Sequence, residues 1–392
     1  MSNYIKIFDR IKSVFGNSFA LAIPSVSNLL LSLLIIRLYP AEWWGKIVEM
    51  QIIYYLAINF TAWGNKEYLL REFSNNSAKI KSIWSGSFNL RFVYVLFPVC
   101  IGLIIYDHSV SGIYLLAWIV LRHIQQSFEA IATFEKKFNP IVFSEIASLV
   151  FIVATLIFFK ELSFETILLF ITISYLIRTL IVMIIFGKYF SFSSEIKFAT
   201  LAASFTFMLL VFTNIAQSKT DMMVLNMLMD KTDLAKYGVI TIFILLSRNI
   251  TSFIVYPFVK NIYRLNKASM KLLSIEFLKY GFLITLAGVL FQFIMLHYFY
   301  HFQFPLTLYI LTFICVLPSF WYTPIVFFLF KENKQSKVIF VNIFGILINV
   351  FASFIFIKPY GITGGLIAMA ISQLFMLAMV YRYFFKSLEH EH

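Results

Sequence analysis

Between residues 14 and 384 the sequence is a succession of apolar runs, most of them 18 residues or longer, separated by short polar segments. Runs of that length match the hydrocarbon thickness of a bilayer. Twelve spans are expected, at 14–36, 46–63, 88–106, 111–131, 140–159, 164–186, 199–227, 235–258, 275–297, 303–330, 337–357 and 361–384. Inside lipid each backbone N–H and C=O must be satisfied locally, so spans of this kind are helices. The fold class is therefore an all-α polytopic membrane protein with about 12 transmembrane helices. Only 13% of residues are charged, against roughly twice that in a soluble domain. Tyr39, Trp43, Trp44, Trp63, Trp84 and Tyr360 crowd span edges, as interfacial belts do.

Lys and Arg set the orientation. With both termini cytoplasmic, cytoplasmic segments hold 22 basic residues and external ones 6, the latter being Arg37, Lys46, Lys160, Lys231, Lys236 and Lys358. The cytoplasmic set includes Lys6, Arg10 and Lys12 before the first span, and Lys66, Arg71, Lys79, Lys81 and Arg91 after the second. This placement explains the net charge of +13 without nucleic acid, since basic loops face an anionic leaflet of membrane lipids. The first run lacks a small-residue cleavage site, so it reads as a retained span. Cys100 and Cys315 lie within apolar runs and read as small hydrophobes. The final Leu-Glu-His-Glu-His, native or appended, carries no argument.

The external segments are short, the longest falling around 228–235. They leave no room for a folded catalytic module, which argues against an enzyme. No His-x-x-x-His pair on a helix, Cys cluster or phosphate loop is present; His297 and His301, four apart, sit among aromatics at a span end. A weak internal repeat relates the halves. Ile36–Tyr55 aligns with Met229–Arg248 at a shift of 193 residues, placing Gly45 on Gly238, Trp44 on Tyr237 and Asn28 opposite Asp221. The expected lobes are 1–198 and 199–392, six spans each.

Polar residues within the spans are the candidate functional set. Arg122, Gln126 and Glu129 recur at i, i+4, i+7 in the fourth span, and Asn214, Ser218 and Asp221 repeat the spacing in the seventh. Lys219 adjoins Asp221, and Arg248 shares a face with Ser252 in the eighth. Ser25, Asn28 and Ser32 line one face of the first, after Pro24. Each charge has two readings, a helix-locking ion pair or the lining of a hydrated pathway. Four cations facing lipid would cost on the order of 10–14 kcal/mol, comparable to a whole fold's net stability. Arg122, Lys219, Asp221 and Arg248 therefore favour a hydrated interior. Glu145 favours the locking role, and Arg178 is evenly placed between the two. A slightly cationic interior suits an anionic group such as a phosphate. Asp221 and Glu129 suit a coupling cation or proton. Asn342, Asn349, Gln373 and Gly364-Gly365 read as helix packing.

Several features together resemble the O-antigen (Wzx-type) flippases, polysaccharide-biosynthesis membrane proteins of the multidrug/oligosaccharidyl-lipid/polysaccharide exporter superfamily. These are Pro24 in a polar first span; Tyr39 and Gly45; Trp63-Gly64 with Glu67-Tyr68 and Arg71-Glu72; Asp221 followed by Tyr237-Gly238; and Tyr256-Pro257-Phe258 with Lys260. The resemblance is one of pattern over the whole chain. It implies two six-helix lobes around a central cavity opening alternately to each side. It also implies an undecaprenyl-diphosphate-linked oligosaccharide as substrate, a bacterial inner-membrane location, drive by an ion gradient (Na+ or H+), no other cofactor, and polysaccharide assembly proteins as partners. The resemblance carries its cationic cavity onto Arg122, Lys219 and Arg248, with Arg178 a further cation, and ion coupling onto Asp221. Glu129, Asn28, Asn214 and Gln126 complete the polar set. A cation-coupled drug antiporter of the same superfamily is the alternative, and a membrane-embedded glycan polymerase a more distant one.

Overall fold

The computed structural model describes residues 22–159, 161–191, 198–255, 262 and 264–389. Lys6, Arg10, Lys12, Lys160, Lys197, Tyr256, Pro257, Phe258, Lys260 and the final His-Glu-His fall outside them.

All regular structure among the described residues is helical. The helices are α1 (Ala22–Leu38), α2 (Ala41–Ala62), α3 (Asn65–Asn75), α4 (Ser77–Ile105), α5 (Val110–Ser127), α6 (Glu129–Phe134) and α7 (Asn139–Phe158). They continue as α8 (Phe164–Phe186), α9 (Ala199–Leu228), α10 (Lys231–Val255), α11 (Lys267–Ile294), α12 (Leu306–Lys331) and α13 (Gln335–Glu389). Eight described helices are long and apolar enough to cross a membrane by length and composition. The chain is an all-α polytopic membrane protein.

Internal contacts gather the chain into two compact units. Unit 1 comprises Met1–Ser27 with Met50–Ile215, and unit 2 comprises Asn28–Glu49 with Ala216–His392. Counting spans divides the sequence at 198/199; compactness divides it at 215/216 and gives the segment 28–49 to the second unit.

The reason for that exchange is visible at one helix crossing in unit 2. A Cβ on Gly45 of α2 would lie 1.8 Å from the backbone oxygen of Lys231 in α10. A Cβ on Gly238 of α10 would lie 2.7 Å from a methyl of Val48 in α2. The two glycines aligned by the sequence repeat thus serve the same close approach. Glu49 closes it with an ion pair to Lys231 Nζ at 2.8 Å, and Asn226 Nδ2 donates to the same carboxylate at 3.1 Å.

Three departures from the expected spans have local causes. First, 64–87 is not a loop. Trp63 (φ 50°) and Gly64 (φ 63°) turn the chain, and α3 follows with Leu69 and Phe73 buried at i, i+4. They pack against Trp84, Phe88, Phe128 and Ile131 in an aromatic core of unit 1, where Trp84 Nε1 donates to Ser127 O at 2.7 Å. Second, the fourth span breaks at Phe128, separating α5 from α6. Third, Arg91, expected among the cytoplasmic cations, is the central residue of the 29-residue α4 and is 2% exposed.

The last two spans are a hairpin with almost no loop. Gly361 adopts φ 55°, ψ −130°, a region open in practice only to glycine. Beyond it Gly364 lies against the carbonyl of Phe356, and Ser372 Oγ donates to Gly345 O at 2.9 Å, so the arms 335–360 and 362–389 run side by side. Gly364 therefore packs as the sequence predicted.

Candidate functional site

In unit 1 the expected stripe of α5 is shared between two jobs. The break at Phe128 swings Glu129 back toward Arg122, whose Nη2 lies 2.9 Å from Oε1. Lys66 of α3 approaches the other carboxylate oxygen at 3.9 Å. Both Arg122 and Glu129 keep about a quarter of their side-chain surface open, at 22% and 26%. Gln126 turns the other way and donates from Nε2 to Ile58 O of α2 at 2.9 Å.

Deeper in unit 1, Arg178 of α8 and Glu145 of α7 form a buried pair at 3.0 Å, with side chains 14% and 2% exposed. Arg178 Nε also donates to Ser148 Oγ at 2.5 Å, and its guanidinium sits 5.1 Å from the Tyr175 ring centroid. Gln125 Nε2 donates to the second oxygen of Glu145 at 3.3 Å. Every feature of this cluster fits a lock between helices. Arg178, named above as a further cavity cation, thus gives Nε and Nη1 to this cluster.

Unit 2 holds the acid of α9. Asp221 is fully buried and accepts from the phenol of Tyr237 on α10, while its Oδ1 has no hydrogen-bond partner among the described residues. Tyr237 is itself pinned, because Gly365 of α13 lies against its ring. Lys219 is buried two residues earlier, with Nζ 3.8 Å from Met222 Sδ. One turn before Asp221, Gln217 Nε2 donates to Ser372 Oγ at 3.4 Å, and Gln217 O accepts from Asn349 Nδ2 at 3.4 Å. A buried carboxylate oxygen without a donor calls for a proton or a small cation beside it.

Arg248 of α10 is half-buried. Its Nη2 donates to Tyr322 OH of α12 at 3.3 Å, and Tyr322 donates to Gln373 Oε1 of α13 at 3.1 Å. Among the described residues it has no acidic partner. Asn28 is half-buried in unit 2, and Asn214 is exposed in unit 1. Along α9 Asn214 is exposed, Ser218 half-buried and Asp221 fully buried.

Sequence reasoning missed Tyr322 and Gln373 as partners of Arg248, and Tyr237 as the partner of Asp221. Tyr237 stood out through the repeat and the family resemblance, and Gln373 only as packing. No described group of three or more His, Cys, Asp or Glu could hold a metal, and His297 stacks on Phe293 at 5.6 Å.

The fold and these polar interiors define a class: a polytopic helical membrane protein with charged residues buried among its helices. No family model and no curated protein matches the chain. Solved structures do. A lipid II flippase, MurJ, in an inward closed conformation superposes with TM-score 0.68 at 15% identity, over 94% of this chain and 86% of that one. An inward-facing multidrug-resistance MATE family transporter of the MOP superfamily gives 0.66 at 14% identity, over 95% and 98%. A MOP superfamily transporter from Pyrococcus furiosus, described by the reverse polarity of its binding pocket, gives 0.59 at 14%, over 97% and 95%. The shared property is the fold.

Proposed function

We propose that the chain flips an undecaprenyl-diphosphate-linked oligosaccharide from the cytoplasmic to the outer leaflet of a bacterial inner membrane by alternating access. The observation that carries this reading is Arg248. It is a half-buried cation in the C-terminal half of α10, held in place by the neutral Tyr322–Gln373 chain. A cation positioned by neutral groups keeps its charge for an anion, and a guanidinium matches a diphosphate's paired oxygens. Lys219, buried in the same unit as Arg248, adds a second cation. Structural neighbours that include a lipid II flippase support a lipid-linked substrate. Inward- and outward-facing neighbours support alternating access.

In this reading Asp221 takes the coupling ion, H+ or Na+, at its unpartnered oxygen. Polysaccharide assembly proteins are the expected partners, and the chain itself does no covalent chemistry. The test is Arg248→Ala beside Arg248→Lys, with surface glycan measured against protein level. Loss in the alanine variant and partial retention in the lysine variant are expected. Normal surface glycan in Arg248→Ala would refute the role of Arg248.

The antiporter alternative rests on Asp221, since a buried acid also suits exchange of a cationic drug. Efflux of a cationic dye that depends on Asp221 and is indifferent to Arg248 would favour it.

A further inference from the structure

The proposed pathway makes no use of the most isolated charge among the described residues of unit 1. Arg91 sits 14 residues from either end of α4, roughly 20 Å from each at 1.5 Å per residue. The residue is 2% exposed. A guanidinium stays charged in proteins. Its Nη2 donates to Ser127 Oγ at 3.1 Å, but Nε and Nη1 have no partner among the described residues. No described acidic group pairs with it.

Beside it lies His123 of α5, fully buried, with neither ring nitrogen partnered. Ser127 ties the two together, since its Oγ accepts from Arg91 and donates to His123 O at 2.7 Å. Phe88 and Phe92, which flank Arg91 on α4, contact the His123 ring at 6.0 and 6.4 Å between centroids. Immediately after Arg91 the helix widens into a π-turn over Phe92–Leu96. Such turns are often found at functional sites.

Arg91 Nε and Nη1 on one helix and the His123 ring nitrogens on the next, joined through Ser127, are therefore buried and unpartnered without a described counter-charge. An ion left like this is heavily penalised by desolvation. We propose that Arg91 and His123 bind a small monovalent inorganic anion, chloride in a cell, between α4 and α5. Arg91 supplies the charge and two N–H donors, and a His123 N–H supplies a third. One positive charge and an aromatic surround suit a single, weakly hydrated anion better than a phosphate, which requires more charge and more donors. The site lies within unit 1 and is separate from Arg248.

The test uses the full-length protein in lipid nanodiscs. Thermal unfolding is followed while sodium chloride replaces sodium gluconate at constant ionic strength. A saturable rise in Tm with chloride is expected, because a ligand of the folded state stabilises it by mass action. Arg91→Leu should fold, since an apolar replacement of an unpaired buried charge is tolerated, and should lose the chloride response. Arg91→Lys keeps the charge but loses the fork, and should need at least tenfold more chloride. Arg248→Leu should respond as the wild type does, which separates this site from the transport reading. A wild-type Tm indifferent to chloride, as water alone in the site would give, overturns the proposal. A full chloride response in Arg91→Leu does so equally.

Discussion

The arginines within the spans show how one residue type takes different roles by its neighbours. Arg178 is matched by Glu145, Ser148 and the Tyr175 ring. Arg122 shares Glu129 with Lys66 and stays partly open. Arg248 meets only neutral groups among the described residues. These differences make separable predictions. Removing one member of a buried pair strands the other charge, which costs roughly 3–5 kcal/mol. Glu145→Leu should therefore lower Tm and membrane protein level sharply, and Glu145→Leu with Arg178→Met should recover most of both. Thermal unfolding of the three proteins checks this. If the double variant is as stable as wild type but inactive in glycan export, Arg178 acts on substrate as well. The stripe in the fourth span put Arg122 and Glu129 on one face, but the partners of Arg178 and Arg248 could not be read from the sequence. Charge and depth were legible there, but pairing depends on which helices adjoin, and Arg178 and Glu145 lie on different ones.

At the scale of the element, the glycines do what side-chain chemistry cannot. Gly45 and Gly238 bring α2 and α10 to backbone contact, but their surroundings differ. An added methyl at Gly45 meets the carbonyl of Lys231, which can move only with its helix. At Gly238 it meets the side chain of Val48, which can be trimmed. Overpacking of this kind costs typically about 1–3 kcal/mol. Gly45→Ala should fall at or beyond the top of that range. Gly238→Ala should be milder, and Val48→Ala should rescue it in a double-variant cycle read by thermal unfolding. Failure of that rescue would show that Gly238 is needed for more than space. The sequence repeat pointed to both glycines, and the hairpin glycines Gly364 and Gly365 were legible as packing residues. What it did not reveal was α3. A helix of 11 residues whose only buried apolar side chains are Leu69 and Phe73 carries too little apolar periodicity to stand out from a charged loop. The core that buries it comes from α4, α5, α6 and α8.

For the whole molecule, the succession of apolar runs was the strongest signal in the sequence, because lipid leaves a backbone few alternatives to helix. Unit membership was not legible: Asn28–Glu49 joins residues nearly two hundred positions away through the α2–α10 crossing. Orientation rests on the placement of Lys and Arg, and the burial of Arg91 removes one residue from the cytoplasmic count without disturbing the excess. That excess predicts which side each connection faces. Glu161 lies between α7 and α8 and Ser336 at the start of α13; both are exposed. In a protein with Cys100 and Cys315 replaced by alanine, Glu161→Cys should react with a membrane-impermeant maleimide in intact spheroplasts. Ser336→Cys should react only after lysis. The two positions are separated by an odd number of the twelve spans, so opposite labelling tests the span count together with the orientation. Labelling of both from one side would mean that a span between them does not cross. Exchange of the two patterns would place the basic connections outside, and a flippase working from cytoplasm to outer leaflet would then have to be read in the opposite sense.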